Sequence, residues 1–391
     1  VKTLELMERI YLDYNATTPV KPEVLAEMLP YFSVEYGNPS SLHRHGRSAR
    51  IAVDTARERV AVSLGCAGHE IIFTSGGTES DNLAIYGYLE KLAESGNRKL
   101  HVITSVIEHN AVLKVCQHLE GRGVEVTYLP VSGEGIVDVE ILKSSIKENT
   151  SLVSIMAANN EIGTIQPLSD IIKISHEKGV PVHVDAVQAF GKIPLNVKEL
   201  GVDMLSISGH KFYGPKGSGA LYVRRGMQLE AFVRGGSQER GIRGGTENIP
   251  VIVGLGKACE TAMSCLQENF IRERMLRDRL QTLILKNIRD VRINGDSEKR
   301  IPNTLNVSFS GIEAEALAVR LDIEGISVST GSACSSGASQ VSHVLRALGS
   351  PPEFLGSAIR FSIGLENTAE QINHAALITA DMVAGMRGKE V

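Results

Sequence analysis

Lys211, Asp185, His109 and Cys334 define the chemistry open to this chain. Lys211 ends Ser208-Gly209-His210-Lys211, directly after the apolar run 204–208. A lysine at the carboxyl end of a parallel-sheet strand lies where α/β proteins hold ligands. An amine partly withdrawn from water there has a lowered pKa and can form a Schiff base. Lys216 is its local competitor. Asp185 follows the β-branched run of Val182-His183-Val184. A carboxylate there can keep a pyridine nitrogen protonated, so that the ring accepts the electrons of a carbanion, or it can simply cap the next helix. His109 follows the run 101–105, where an imidazole can stack on an aromatic cofactor and move a proton near neutral pH. Asn159-Asn160-Glu161 follows the run 152–157 in the same way.

Anion-binding groups accompany these. Ser75-Gly76-Gly77-Thr78-Glu79-Ser80 joins an apolar run to a helix-period segment. Its glycines let backbone approach a phosphate, the helix start offers free N–H groups, and Thr78 and Ser80 add hydroxyls. The spacing is neither that of a P-loop nor G-x-G-x-x-G. Arg360, in Ala358-Ile359-Arg360-Phe361-Ser362, carries a fork that matches a carboxylate. The Gly-rich segment 235–248 bears Arg240, Arg243 and Thr246, donors suited to an anion. Cys334 lies in Gly331-Ser332-Ala333-Cys334-Ser335-Ser336-Gly337, a composition that cannot pack a core and predicts a mobile surface loop over about 327–339. A thiol there is available as a nucleophile once deprotonated.

Positioning these groups takes an alternation of strands and helices. Strands are expected at 70–74, 101–105, 125–130, 152–157, 180–184, 204–208 and 220–223, with helices at 79–94, 110–122, 168–178 and 197–200. That order predicts an α/β large domain, 21–262, with a mostly parallel central sheet and helices on both faces. A smaller α+β C-terminal domain is expected from 263–391 together with 1–20. It has a charge-laced helix at 268–287, a strand at 303–309 and helices at 314–323 and 369–387; a further strand is expected at 10–14.

Bulk properties fit a globular enzyme: 391 residues, 42% apolar and 22% charged, too long for one core. The net charge of −4, without a basic block, predicts no nucleic-acid or membrane partner. The absence of a signal-like N-terminus and of a long apolar run predicts a cytoplasmic protein. Five cysteines without a C-x-x-C pair argue against disulfides and structural zinc. Cys66, Cys116, Cys259 and Cys265 read as buried small hydrophobes.

Taken in order, these residues resemble the cysteine desulfurases of the NifS/IscS type, within the fold-type I enzymes of pyridoxal 5'-phosphate (PLP). The likeness runs from Tyr11-Leu12-Asp13-Tyr14-Asn15-Ala16-Thr17-Thr18 to Arg360-Phe361-Ser362; its most specific parts are Ser208-Gly209-His210-Lys211, Arg243-Gly244-Gly245-Thr246 and Gly331-Ser332-Ala333-Cys334. The resemblance implies that Lys211 holds PLP, Asp185 pairs with the pyridine nitrogen and His109 stacks on the ring. It further implies that Gln188 bonds the phenolic oxygen, with Asn160 beside it at the cofactor and the substrate, that Gly77, Thr78, Ser208 and His210 bind the phosphate, and that Gly209 also belongs to the cofactor site. Thr246 would reach the phosphate of a neighbouring subunit, which implies a homodimer with shared active sites. Arg360 would hold the carboxylate of L-cysteine, and Cys334 would receive the sulfur as a persulfide. The long loop resembles that of the members that pass sulfur to iron–sulfur scaffold proteins, where Cys334 could also ligate a transient 2Fe-2S cluster shared with the partner. The segment 385–391 lacks the extended tail that housekeeping members use in docking, which leaves the acceptor open. An aminotransferase or a lyase for another amino acid shares Lys211 and Asp185 but has no need of Cys334. An idle binding partner needs none of the three, and His43, His45, His101 and His183 lack metal-ligand spacing.

Overall fold

The computed structural model describes residues 9–96, 99–330 and 341–388. Cys334 and most of its Gly/Ser-rich segment lie outside the described residues.

Seven strands form the main sheet, in the order Ile71–Thr74, Gly219–Val223, Met204–Ser208, Val182–Asp185, Thr150–Met156, His101–Ser105 and Glu125–Leu129. All neighbours are parallel except those of Gly219–Val223, which runs antiparallel to both. Strands such as Met204–Ser208 are buried along their whole length, as expected of a sheet covered by helices on both faces. The parallel arrangement brings the carboxyl ends of Met204–Ser208, Val182–Asp185, Thr150–Met156 and His101–Ser105 to one edge, where the chemical residues follow.

Several helices lie beyond the sequence expectations. Arg44–Leu64 ends at Gly65, whose φ of 75° lets its N–H return to Ala61 and Val62. It packs on Ile249–Ser264, another unexpected helix, through small residues: a Cβ on Gly256 would stand 2.8 Å from Ala56 Cα. The helix expected at 79–94 begins at Gly77 and passes through a π-helical turn, Leu83–Gly87.

A second apolar core lies outside that sheet. Leu305, Val307 and Phe309 of strand Thr304–Phe309 pack with Phe361 and Leu280, and with Leu317 and Ile372 of two further helices. Thr304–Phe309 lies between Ala358–Ser362 and Val291–Asn294, antiparallel to both. The strand expected at 10–14 is only Ile10–Tyr11, paired in parallel with Ile326–Ser327. Helix Leu266–Asn287 leaves the first core by a sharp bend after Ser264 and enters the second. Among the described residues, no single helix is long and apolar enough to cross a membrane.

The cysteine expectation needs correction. Cys116 and Cys259 are buried, whereas Cys66 and Cys265 are partly exposed, because each lies just past a helix end.

Candidate functional site

A cavity of about 310 Å³ opens at the carboxyl edge of the main sheet. Gly77, Thr78, His109, Asn160, Asp185, Gln188, Ser208, His210, Lys211 and Arg360 all line it, together with Asn15 and Asp81.

Lys211 reaches it because strand Met204–Ser208 turns at once into the tight helix Gly209–Lys211. Gly209 is buried in that turn and does not line the cavity; a Cβ there would meet Ser218 Oγ at 2.2 Å, so it shapes the bend. Tyr213 holds the turn from its far side at φ 67°, unusual for a tyrosine, with its N–H donating to Thr18 Oγ1 at 2.7 Å. Lys211 Nζ donates to the carbonyls of Asn15 and Ala16 at 2.7 and 2.9 Å. Lys216, its competitor, is exposed.

The Asp185 carboxylate is buried and accepts one hydrogen bond from Val187 N–H at 2.9 Å. Burial raises its pKa, while His109 and Lys211 pull it back down. His109 Nδ1 accepts from Ala111 N–H at 3.1 Å, capping helix Asn110–Glu120. That bond leaves Nε2 to carry the proton of the neutral ring. Burial lowers the His109 pKa, favouring the neutral form. His210 is likewise pushed down to about 4, first by burial and then by Lys211 and Lys216.

Two expectations about the anion-binding groups need correction. Ser80 is buried, its hydroxyl 2.7 Å from that of Thr74, and it does not line the cavity. Arg243 is committed to Glu79, with Nε at 2.9 Å and Nη2 at 3.4 Å from its two oxygens, and Arg240 donates to the carbonyl of Ile71. Thr246, on the same loop, is exposed and does not line the cavity.

Arg360 is buried beside the cavity. Nη1 donates to the Asn160 carbonyl at 2.9 Å, Nη2 to Asp13 at 2.7 Å, and Nε has no hydrogen-bond partner among the described residues. Each terminal nitrogen keeps a second N–H for an incoming carboxylate.

Sequence reasoning missed four groups at or behind this wall. Asn15 accepts Lys211 and Gln188 on its carbonyl, while its side chain meets Lys192, Asn303 and Thr304. Asp81 is buried, its Oδ1 without a hydrogen-bond partner among the described residues and 3.6 Å from His183 Nε2. Glu108 is buried and takes bonds from Ser105 and Met156 N–H. Lys192 is a buried amine, whereas Lys211 is only partly buried. No local motif marks any of them; only the serine three residues before Glu108, at the end of its strand, was a usable signal.

The cavity suits a phosphorylated pyridine on its own geometry. Gly77 forms a cradle that a side chain would fill, since its Cβ would lie 2.6 Å from Val187 Cγ2 and 3.5 Å from Ser208 Cβ. The buried Asp185 carboxylate lines the same space as the Lys211 amine.

Residues 10–374 match the aminotransferase class-V family. The chain is 48% identical to the cysteine desulfurase IscS of Dictyoglomus turgidum, over 98% of this chain and 96% of that one. It is 47% identical to the cysteine desulfurase IscS of Methanosarcina thermophila, over 97% and 93% of the two chains. A solved NifS-like protein superposes with a TM-score of 0.91 at 41% identity, covering 96% of this chain and 100% of the other.

Proposed function

This chain belongs to the aminotransferase class-V family, among the PLP-dependent cysteine desulfurases of the NifS and IscS type, and from that premise we propose that it moves sulfur from L-cysteine onto Cys334 and then to an iron–sulfur scaffold protein. The observation that carries the reading is the meeting of Lys211, Asp185, His109 and Arg360 in one cavity, delivered by four different strands.

PLP, when bound, supplies a carbonyl for Schiff-base formation and a protonated ring that takes up the electron pair released at the substrate α-carbon. Lys211 holds the group and, once displaced by the substrate amine, removes the α-proton. The buried Asp185 carboxylate keeps the ring nitrogen protonated. Gly77, Thr78, Ser208 and His210 receive the phosphate, His210 as a neutral donor. Arg360 offers its remaining N–H groups to the substrate carboxylate, while Asp13 and the Asn160 carbonyl hold the guanidinium plane still. His109, with Nδ1 occupied, works from Nε2.

The Cys334 thiolate attacks the substrate sulfur. The S–S bond forms as the C–S bond breaks, and its electron pair passes to the β-carbon, which takes a proton to become the methyl group of alanine. Thiol and cysteine thus become persulfide and alanine with no outside oxidant or reductant. Transfer to a scaffold follows by thiol attack on the outer sulfur, and on this reading the freed Cys334 thiolate would be the residue to ligate a 2Fe-2S cluster shared with that partner. A homodimer belongs to the same reading. Thr246 is exposed away from its own cavity, and Phe32, Val34, Tyr36 and Leu42 leave apolar surface for a second copy to cover.

The test is release of sulfide and alanine from L-cysteine with a reductant present. Wild type should release both in equal amounts, and Lys211→Ala and Cys334→Ser should lose nearly all turnover. Cys334→Ser should keep the absorbance of the PLP–lysine adduct. Full turnover by Cys334→Ser would make the chain another kind of PLP lyase.

A further inference from the structure

Lys192 takes no part in the chemistry above, yet it is buried behind the cavity wall, in the run of turns after Asp185. Its ammonium donates to Gln188 Oε1 at 2.8 Å and to Asn15 Oδ1 at 3.1 Å. A lysine has three donors and no acceptor, so the group it touches on an amide must be the oxygen. This removes the usual ambiguity of a glutamine amide, whose two ends are otherwise interchangeable. With the oxygen of Gln188 held by Lys192, the NH₂ end faces the other way. There Nε2 donates to the Asn15 carbonyl at 2.9 Å, the same oxygen that accepts Lys211 Nζ at 2.7 Å.

A buried ammonium needs a counter-charge. Glu273, on helix Leu266–Asn287, lines the same small cavity as Lys192, one of about 20 Å³. Burial lowers Lys192 and raises Glu273, and each opposes that drift in the other. Lys211 and Arg360 add positive charge that disfavours the Lys192 ammonium. Glu273, from the helix of the second core, thus favours the charged form of Lys192 across that small cavity.

We propose that Lys192 is a positioning residue: it fixes the Gln188 amide with its donor edge toward the cavity, so that the site presents an N–H rather than a carbonyl to an anionic oxygen of the bound cofactor. The proposal rests on the PLP reading and adds a residue that acts through Gln188. Without Lys192 only the Asn15 carbonyl, an oxygen shared with Lys211, is left to set which way the amide faces, and an amide that turns its carbonyl toward an oxyanion repels it.

The experiment follows the absorbance of the PLP-loaded full chain against pH, without L-cysteine. A donor to the phenolic oxygen favours the form in which that oxygen carries the full negative charge, which holds the midpoint of the colour change low. Lys192→Met should raise the midpoint by about one pH unit, the size of one hydrogen bond to a charged group. Gln188→Ala should shift it in the same direction, and the double variant should go no further than Gln188→Ala. Lys192→Arg, also a donor without an acceptor, should restore most of the wild-type midpoint. An unchanged midpoint in Lys192→Met, or shifts that add fully in the double variant, would overturn the proposal. If Lys192→Met does not fold, Lys192→Gln takes its place, since its amide can present either edge and should give a smaller upward shift; no shift there overturns the proposal equally. Wild type lacking any PLP–lysine absorbance would instead sink the cofactor reading on which the proposal stands.

Discussion

Glu108 and Asp81 show how burial sorts the carboxylates around the cavity. Burial raises Glu108 to about 8, against the bonds from Ser105 and Met156 N–H that pull it down. Asp81, wholly buried, is raised well above the usual carboxylate range, first by burial and then by the charge on Asp185. Like charges crowded together cannot all ionise, and Asp185 is the carboxylate with both His109 and Lys211 pulling it toward the charged form. Burial thus favours the neutral forms of Glu108 and Asp81, while His109 and Lys211 favour the charged form of Asp185. This has a consequence for stability. Glu108 binds its proton more tightly folded than unfolded, so the stability it contributes is present below its ordinary pKa of 4.5 and is lost as pH rises toward 8. Glu108→Gln removes that loss. Its melting temperature should gain on that of wild type as pH rises through this window, measured by calorimetry in buffers of matched ionic strength. Parallel curves would mean that Glu108 is already ionised in the fold.

The elements divide into those that carry the chemistry and those that hold them still. Strand Thr304–Phe309 belongs to the second kind. Phe309 is fully buried, and its neighbour strand Ala358–Ser362 carries Arg360. Phe309→Ala should cost about 3–5 kcal/mol, read in denaturant melts, while the PLP absorbance of the folded variant stays that of wild type. A lost absorbance in folded protein would mean that the two cores are not separable in this way. The strands were legible because apolar runs ending in Gly, Asn, Asp or Ser carry their own punctuation: 101–105 and 204–208 were found to the residue. Strand direction leaves no such mark, so nothing in Gly219–Val223 announced that it runs against its neighbours. Helix Arg44–Leu64 was invisible for another reason: its buried face includes Ala49, Ala52, Ala56 and Ala61, which give little hydropathy contrast. At the cavity, groups that follow strands could be read locally. Asn15, Lys192 and Glu273 could not, because their roles depend on partners far away in the chain.

At the scale of the whole molecule, two apolar cores meet at one wall of the cavity. The first supplies Lys211, Asp185 and His109 at the sheet edge, and the strand of Arg360 belongs to the second. Asn15 ties them together: its N–H donates to Ser362 Oγ and its carbonyl accepts from Lys211. On the proposed reading, a substrate carboxylate bound by Arg360 would be gripped from one core and activated from the other. The account stands or falls on where the sulfur goes next. Its most direct test is to treat the PLP-loaded protein with L-cysteine without reductant, digest it after trapping reactive thiols, and weigh the peptide that contains Cys334. The account predicts one extra sulfur on that peptide, absent from Lys211→Ala and absent from the peptides of Cys66, Cys116, Cys259 and Cys265. Alanine formed with no sulfur added at Cys334 would contradict it.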